Sequence, residues 1–204
     1  TRKTVLEYDD VMNTQRQVIY EQRRKVLDGD NLKEAVQNMM NTVITNAIHG
    51  HMGEQKHMSA EQFREAVAPF RGVFLHPEEL KLTDKELADY TADQLVDLVG
   101  GKARDLYARK EQELGEPLMR ELERVIMLRV VDEYWMDNID AMTELRQGIG
   151  LRGYGQHDPV VEYKREGYEM FENMIAAIQE ETVRRLFLAR IQVGGEVKRE
   201  RVAK

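Results

Sequence analysis

Cysteine is absent from the 204 residues, so the chain can form no disulfide, offers no thiolate nucleophile and holds no cysteine-bound metal. That absence fits a reducing compartment. Proline is scarce, with four residues, which leaves long stretches free to be helical. Aromatic residues make up 7%, too few for broad stacking surfaces. No apolar run approaches the roughly 18 residues needed to span a bilayer. The opening Thr1-Arg2-Lys3-Thr4 has none of the build of a secretory signal. The chain starts without Met, and its ends read as cut from a longer polypeptide. Excess positive charge is also missing: 30 basic against 37 acidic side chains give a net charge of −7. Nucleic-acid binding, which needs a basic face, is therefore not expected. No G-x-x-x-x-G-K-[ST] string occurs, so a phosphate-cradling P-loop is not expected either.

What is present is helical patterning. Hydrophobic residues are 42% and charged residues 33%, a mixture suited to an all-α globular protein. The eleven methionines suit irregular packing and changeable contacts. Val5, Tyr8, Met12, Ile19 and Val26 recur at helical spacing, with Val11 and Val18 widening the stripe. Leu32, Val36, Met39/Met40, Val43 and Ala47 continue it. The pattern predicts one long helix, or two nearly collinear ones, over residues 4–48. Asp28-Gly29-Asp30 interrupts it, and Asn31 with Glu34 offers a capping box beyond.

Residues 49–60, rich in Gly and His, read as a loop. Ser59 with Gln62, Thr83 with Glu86, and Thr91 mark starts of short helices, broken by Pro69, Gly72 and Pro77. Residues 50–117 thus form a small irregular helical unit between two regular ones. From Leu118 to about Gln147 a second long helix is expected, on a stripe of Leu118, Leu122, Val125/Ile126, Leu128, Val131, Trp135, Ile139, Met142 and Leu145. A third covers 159–191, with Tyr168, Phe171, Met174/Ile175, Ile178 and Leu186/Phe187 on one side. Residues 192–204 read as a linker.

Between the last two helices lies Gly148-Ile149-Gly150-Leu151-Arg152-Gly153-Tyr154-Gly155-Gln156-His157-Asp158-Pro159. The four glycines are expected to stop the first helix, and Asp158-Pro159 to start the second as N-cap and first residue. The result is a helical hairpin whose tip, 148–158, carries one large side chain, Tyr154, between two glycines. Arg146, Arg152, Lys164 and Arg165 surround the tip, where they suit acidic or headgroup surfaces or simple solvation. The string also fits G-x-G-x-x-G formally, but a dinucleotide site needs a strand before it. His49 and His51, near His57 and His76, could be imagined around a metal; solvated loop histidines are the better reading. Trp135 falls on the apolar stripe and is expected in the core. Asp9-Asp10, with Asn13, Arg16 and Arg23, makes either a polar face for another domain or intrahelical pairs such as Asp9 to Asn13.

Leu6-Glu7-Tyr8-Asp9-Asp10-Val11, with Gln15-Arg16, Ile19-Tyr20 and Gln22-Arg23, resembles the start of the long scaffold helix in the SecA family of ATP-driven secretion motors. Leu145-Arg146-Gln147-Gly148-Ile149, Leu151-Arg152-Gly153-Tyr154, Asp158-Pro159 and Glu162-Tyr163-Lys164-Arg165-Glu166 resemble the family's two-helix finger. The resemblance implies a scaffold helix at 1–49, a helical wing at 50–117, and a finger at 118–191. It implies a non-catalytic part of a motor whose ATP and Mg2+ belong to domains elsewhere in the longer chain. The implied partners are those motor domains, the SecY channel and unfolded preprotein, with peripheral contact at the inner face of the bacterial plasma membrane and a cytoplasmic location. Leu151, Arg152, Gly153, Tyr154 and Gly155 would touch substrate and channel. Tyr8, Asp9, Asp10, Arg16 and Arg23 would face the motor domains. In isolation the exposed apolar faces could self-associate. A rival reading is a free-standing helical adaptor that binds a partner protein through the hairpin.

Overall fold

The apolar periodicity yields seven helices, seen in a computed structural model that describes residues 1–29, 31–152 and 158–191. They are α1 (Arg2–Asp28), α2 (Leu32–Met52), α3 (Ala60–Val67), α4 (Asp84–Leu87), α5 (Ala92–Leu114), α6 (Glu116–Arg152) and α7 (Pro159–Leu188). Among the described residues there is no strand, only an isolated bridge between Arg71 and Leu75. The all-α class read from the sequence is the one observed.

Of the two forms expected for residues 4–48, one helix or two, two helices are observed, of 27 and 21 residues. Gly29 (φ 73°) and Asn31 (φ 57°) both adopt the left-handed conformation at the break. The capping box expected from Asn31 and Glu34 does not form. An N-cap side chain reaches the helix amides from extended backbone, and Asn31 instead turns the chain. The local boxes at Ser59/Gln62 and Thr91/Gln94 do form, and Thr83 caps α4. Helix α2 also runs past its expected end, so His49 and His51 lie in its last turn and not in a loop. Ile48 and Met52 are buried there, and the burial of both carries the helix on.

Most of the core gathers at one end. Met40, Ile44 and Ile48 of α2 pack with Phe63 of α3, Leu95, Val99 and Tyr107 of α5, and the near ends of α6 and α7 through Met119, Met127, Val183 and Leu186. Here the expected stripe of α6 is displaced: Met119, Glu123 and Met127 face inward, while Val125 is exposed. On α7, Tyr168 likewise points out, 65% exposed, and Tyr163, Gly167, Met174 and Ile178 face in. Lys110 of α5 secures the end of α7 by donating to the carbonyls of Leu186 (2.6 Å), Phe187 (3.2 Å) and Ala189 (2.5 Å). A cation at a helix C-terminus satisfies carbonyls that have no partner within the helix. From this base the two long helices extend antiparallel, and α1 lies along them.

Candidate functional site

Helix α1 touches both arms of the hairpin along most of its length. Nearest the base, Arg23 donates to both carboxylate oxygens of Asp132 on α6, at 3.0 and 3.4 Å. That hydrogen bond and the Asp132 charge raise the guanidinium pKa further. One turn on, Ile19 packs into a cluster with Val130, Val131, Trp135, Met174 and Ile178. Trp135 is buried, as its place on the stripe implied. Next comes a polar contact that the hydrophobic pattern does not advertise. Gln15 accepts from Asn138 of α6 (2.9 Å) and donates to the Gly167 carbonyl of α7 (3.2 Å). Both amide side chains are buried.

The far end of α1 closes over the distal hairpin. Tyr8, Val11 and Met12 cover Met142, Leu145, Ile149 and Tyr163. The Tyr8 and Tyr163 rings meet edge to face, with centroids 4.9 Å apart. Arg146 stands over the Tyr8 ring at 4.9 Å and donates to Asp9 at 3.0 Å. Burial pushes the Tyr163 phenol above its ordinary pKa, an effect that Arg146 partly opposes.

The sequence-derived candidates fall in different places. Tyr8, Asp9 and Arg23 engage the hairpin. Asp9 does not pair with Asn13; Asn13 accepts instead from Arg16 at 3.1 Å. Asp10 is exposed and borders an open, mainly apolar groove of about 760 Å³ between α1 and α7. Helix α6 passes through Gly148 and Gly150 and ends at Arg152, so those two glycines do not stop it. Each costs about 1 kcal/mol relative to Ala in a helix. Burial of Leu145 and Ile149 in the distal cluster offsets that cost. Leu151 is 81% exposed in the last turn. Gly153, Tyr154 and Gly155 lie outside the described residues, as does 192–204.

The cations around the tip do not form a bare basic patch. Arg146 pairs with Asp9, Arg152 with Glu166 at 2.6 Å, and Arg165 with Glu162 at 2.7 Å. His49 lies 3.5 Å from Asp93, and among the described residues no three metal-capable side chains gather.

Gln15 and Asn138 were nonetheless detectable. Gln15 stands between Met12 and Ile19 on the stripe of α1, and Asn138 between Trp135 and Met142 on that of α6. A polar residue at a core position is the signal; its partner is not readable locally.

The assembly is thus an all-α scaffold in which one long helix clasps a projecting helical hairpin whose base is set in a denser helical core. The SecA wing and scaffold domain matches residues 1–190 as a family. A protein translocase subunit SecA from Pelotomaculum thermopropionicum is 51% identical over 91% of this chain and 21% of that protein. Those from Carboxydothermus hydrogenoformans (48%, over 94% and 22%) and Caldicellulosiruptor saccharolyticus (44%, over 100% and 23%) are similar too. The chain belongs to the SecA wing and scaffold family, and it spans about a fifth of the length of these relatives.

Proposed function

We propose that this chain is the non-catalytic scaffold, wing and finger portion of a protein-translocating motor. In this reading residues 1–49 are scaffold, 50–117 wing, and 118–191 scaffold and finger. Motion that begins in the nucleotide-binding domains of the longer protein reaches the finger through α1. The finger moves unfolded polypeptide into a SecY-type channel at the inner face of the plasma membrane and restrains nucleotide turnover when channel and substrate are absent. ATP and Mg2+ belong to those other domains.

The carrying observation is the grip of α1 on both arms of the hairpin, from the Arg23–Asp132 pair to the Tyr8–Tyr163 contact. A helix bound to both arms can displace them together. The names of the relatives, each a protein translocase subunit, support the same reading. Tyr154, with Leu151, Arg152, Gly153 and Gly155, is assigned to substrate and channel contact. An aromatic side chain can hold many sequences through non-directional apolar contact. Asp10 and Arg16 are assigned to the face that meets the motor domains. Tyr8, Asp9 and Arg23 would reach that face while held to the hairpin.

The test is a site-specific cross-link. Tyr154→Cys is placed in the full-length protein with other thiols replaced, and a secretory substrate is stalled in the channel. Cross-links to both substrate and channel are expected. Intact transport with no cross-link to either would overturn the assignment of Tyr154.

A further inference from the structure

We infer that Gln15, Asn138 and Gly167 fix the register of α1 on the hairpin and act as positioning residues for the coupling proposed above, on which this inference rests. Helix α1 does not inherit its register from α2, because two left-handed residues separate the two helices. Its register must come from lateral contacts. The apolar contacts of α1 are made by Tyr8, Val11, Met12, Ile19 and Val26, and such contacts are non-directional, so neighbouring side chains can replace one another when helices slide. The side chains of the two flanking ion pairs, Asp9–Arg146 and Arg23–Asp132, are 38–52% exposed, and solvent screens them.

The central contact behaves differently. Gln15 is 5% exposed and Asn138 is 6%. The Gln15 amide is used at both ends, its Oε1 toward α6 and its Nε2 toward α7. A slide of one turn in either direction would strand both amides away from water. Gly167 contributes its carbonyl and leaves room for Met142: a Cβ there would lie 2.8 Å from Met142 Cε, the movable end of a flexible side chain, and in ordinary contact, 3.8 Å, with Val11 Cγ1. Buried polar groups that select one register are well attested where helices pack along a seam.

The test uses the full-length protein with other thiols replaced and spin labels at Gln17→Cys and Asp140→Cys, both exposed positions. The native protein is expected to give one narrow distance. Gln15→Leu with Asn138→Leu is expected to keep its helicity and melting temperature while the distance splits or moves by about one helical turn, roughly 5 Å. A single narrow distribution at the native distance would overturn the register role. If the double variant loses helicity, Gln15→Met alone is read by the same two outcomes. Polypeptide transported per ATP is measured in parallel. A moved register with unchanged coupling leaves the register role standing and overturns the coupling reading. An unmoved register with weakened coupling does the reverse.

Discussion

The two ends of the hairpin are built from the same two helices yet held in different ways. At the base, α6 and α7 enter a core shared with α2, α3 and α5. A charge network, buried at Glu123 and Tyr107 and opening to solvent at Lys33, ties three of these helices together there. Glu123, 0% exposed, accepts from the Tyr107 hydroxyl and from Arg120; Arg120 also donates to Glu111 at 2.5 Å, and Glu111 accepts from Lys33 at 2.9 Å. Burial, then the Glu123 carboxylate, push the Tyr107 phenol far above its ordinary pKa, so it stays a donor. At the far end a small cluster and a part-exposed ion pair do the holding, with one pair of buried amides midway along α1. Two helices of similar length are thus held tightly at one end and lightly at the other, according to how much buried surface each end shares with its neighbours.

The largest effect that would break this contrast is at the base. Glu123→Ala leaves the buried Tyr107 hydroxyl without its acceptor and Arg120 with Glu111 as its remaining partner. Loss of one member of a buried charged pair costs roughly 3–5 kcal/mol, and the remaining Arg120–Glu111 pair puts this variant at the lower figure. Urea unfolding should show that loss as a lowered midpoint of the whole base. Ile149→Ala at the far end should cost about 2–3 kcal/mol, at the low end for a buried Ile, because the neighbouring glycines allow collapse. Hydrogen exchange should place the loosening in residues 142–152 and leave α2 and α5 protected.

Acid sharpens the comparison further. Burial alone would raise the Glu111 carboxyl, but the hydrogen bonds from Lys33 and Arg120 outweigh it and hold it below 4.5. The native carboxyl therefore binds its proton less readily than the unfolded one. Its contribution is fully present above about pH 4.5 and is lost as pH falls through the lowered native value. Glu111→Gln should flatten that acid limb in a pH series of melting temperatures. The smallest effect belongs to the far end. Asp9→Asn should cost less than about 1 kcal/mol, shrinking with added salt, as measured by thermal unfolding at two ionic strengths.

Local chemistry was legible where a few neighbouring residues decide it. Ser59 with Gln62, Thr91, and Asp158-Pro159 announced helix starts that form as expected, because each cap closes within one turn. Asn31 looked equally good on spacing, but its left-handed backbone keeps the side chain from capping α2. The glycines at 148 and 150 read as a stop, yet burial of Ile149 between them carries α6 onward. Around Glu123 the sequence favoured Leu122 and Val125 for the inner face; Leu122 does pack against the core, but Val125 is exposed and Met119, Glu123 and Met127 are the buried residues. A charged residue is assigned to solvent by default, and only Tyr107 and Arg120 make its burial favourable.

An all-α chain, the existence and approximate length of its long helices, the helix start at Asp158-Pro159 and the motifs that carry the family resemblance follow from periodicity and from contacts a few residues apart. The clasp of α1 on the hairpin, the meeting of Gln15 with Asn138 and Gly167, and the network of Lys33, Glu111, Arg120, Glu123 and Tyr107 arise in the packed molecule alone. Their partners lie up to 152 residues away along the chain. A buried polar group has no fixed preference until packing removes water and supplies its counterpart.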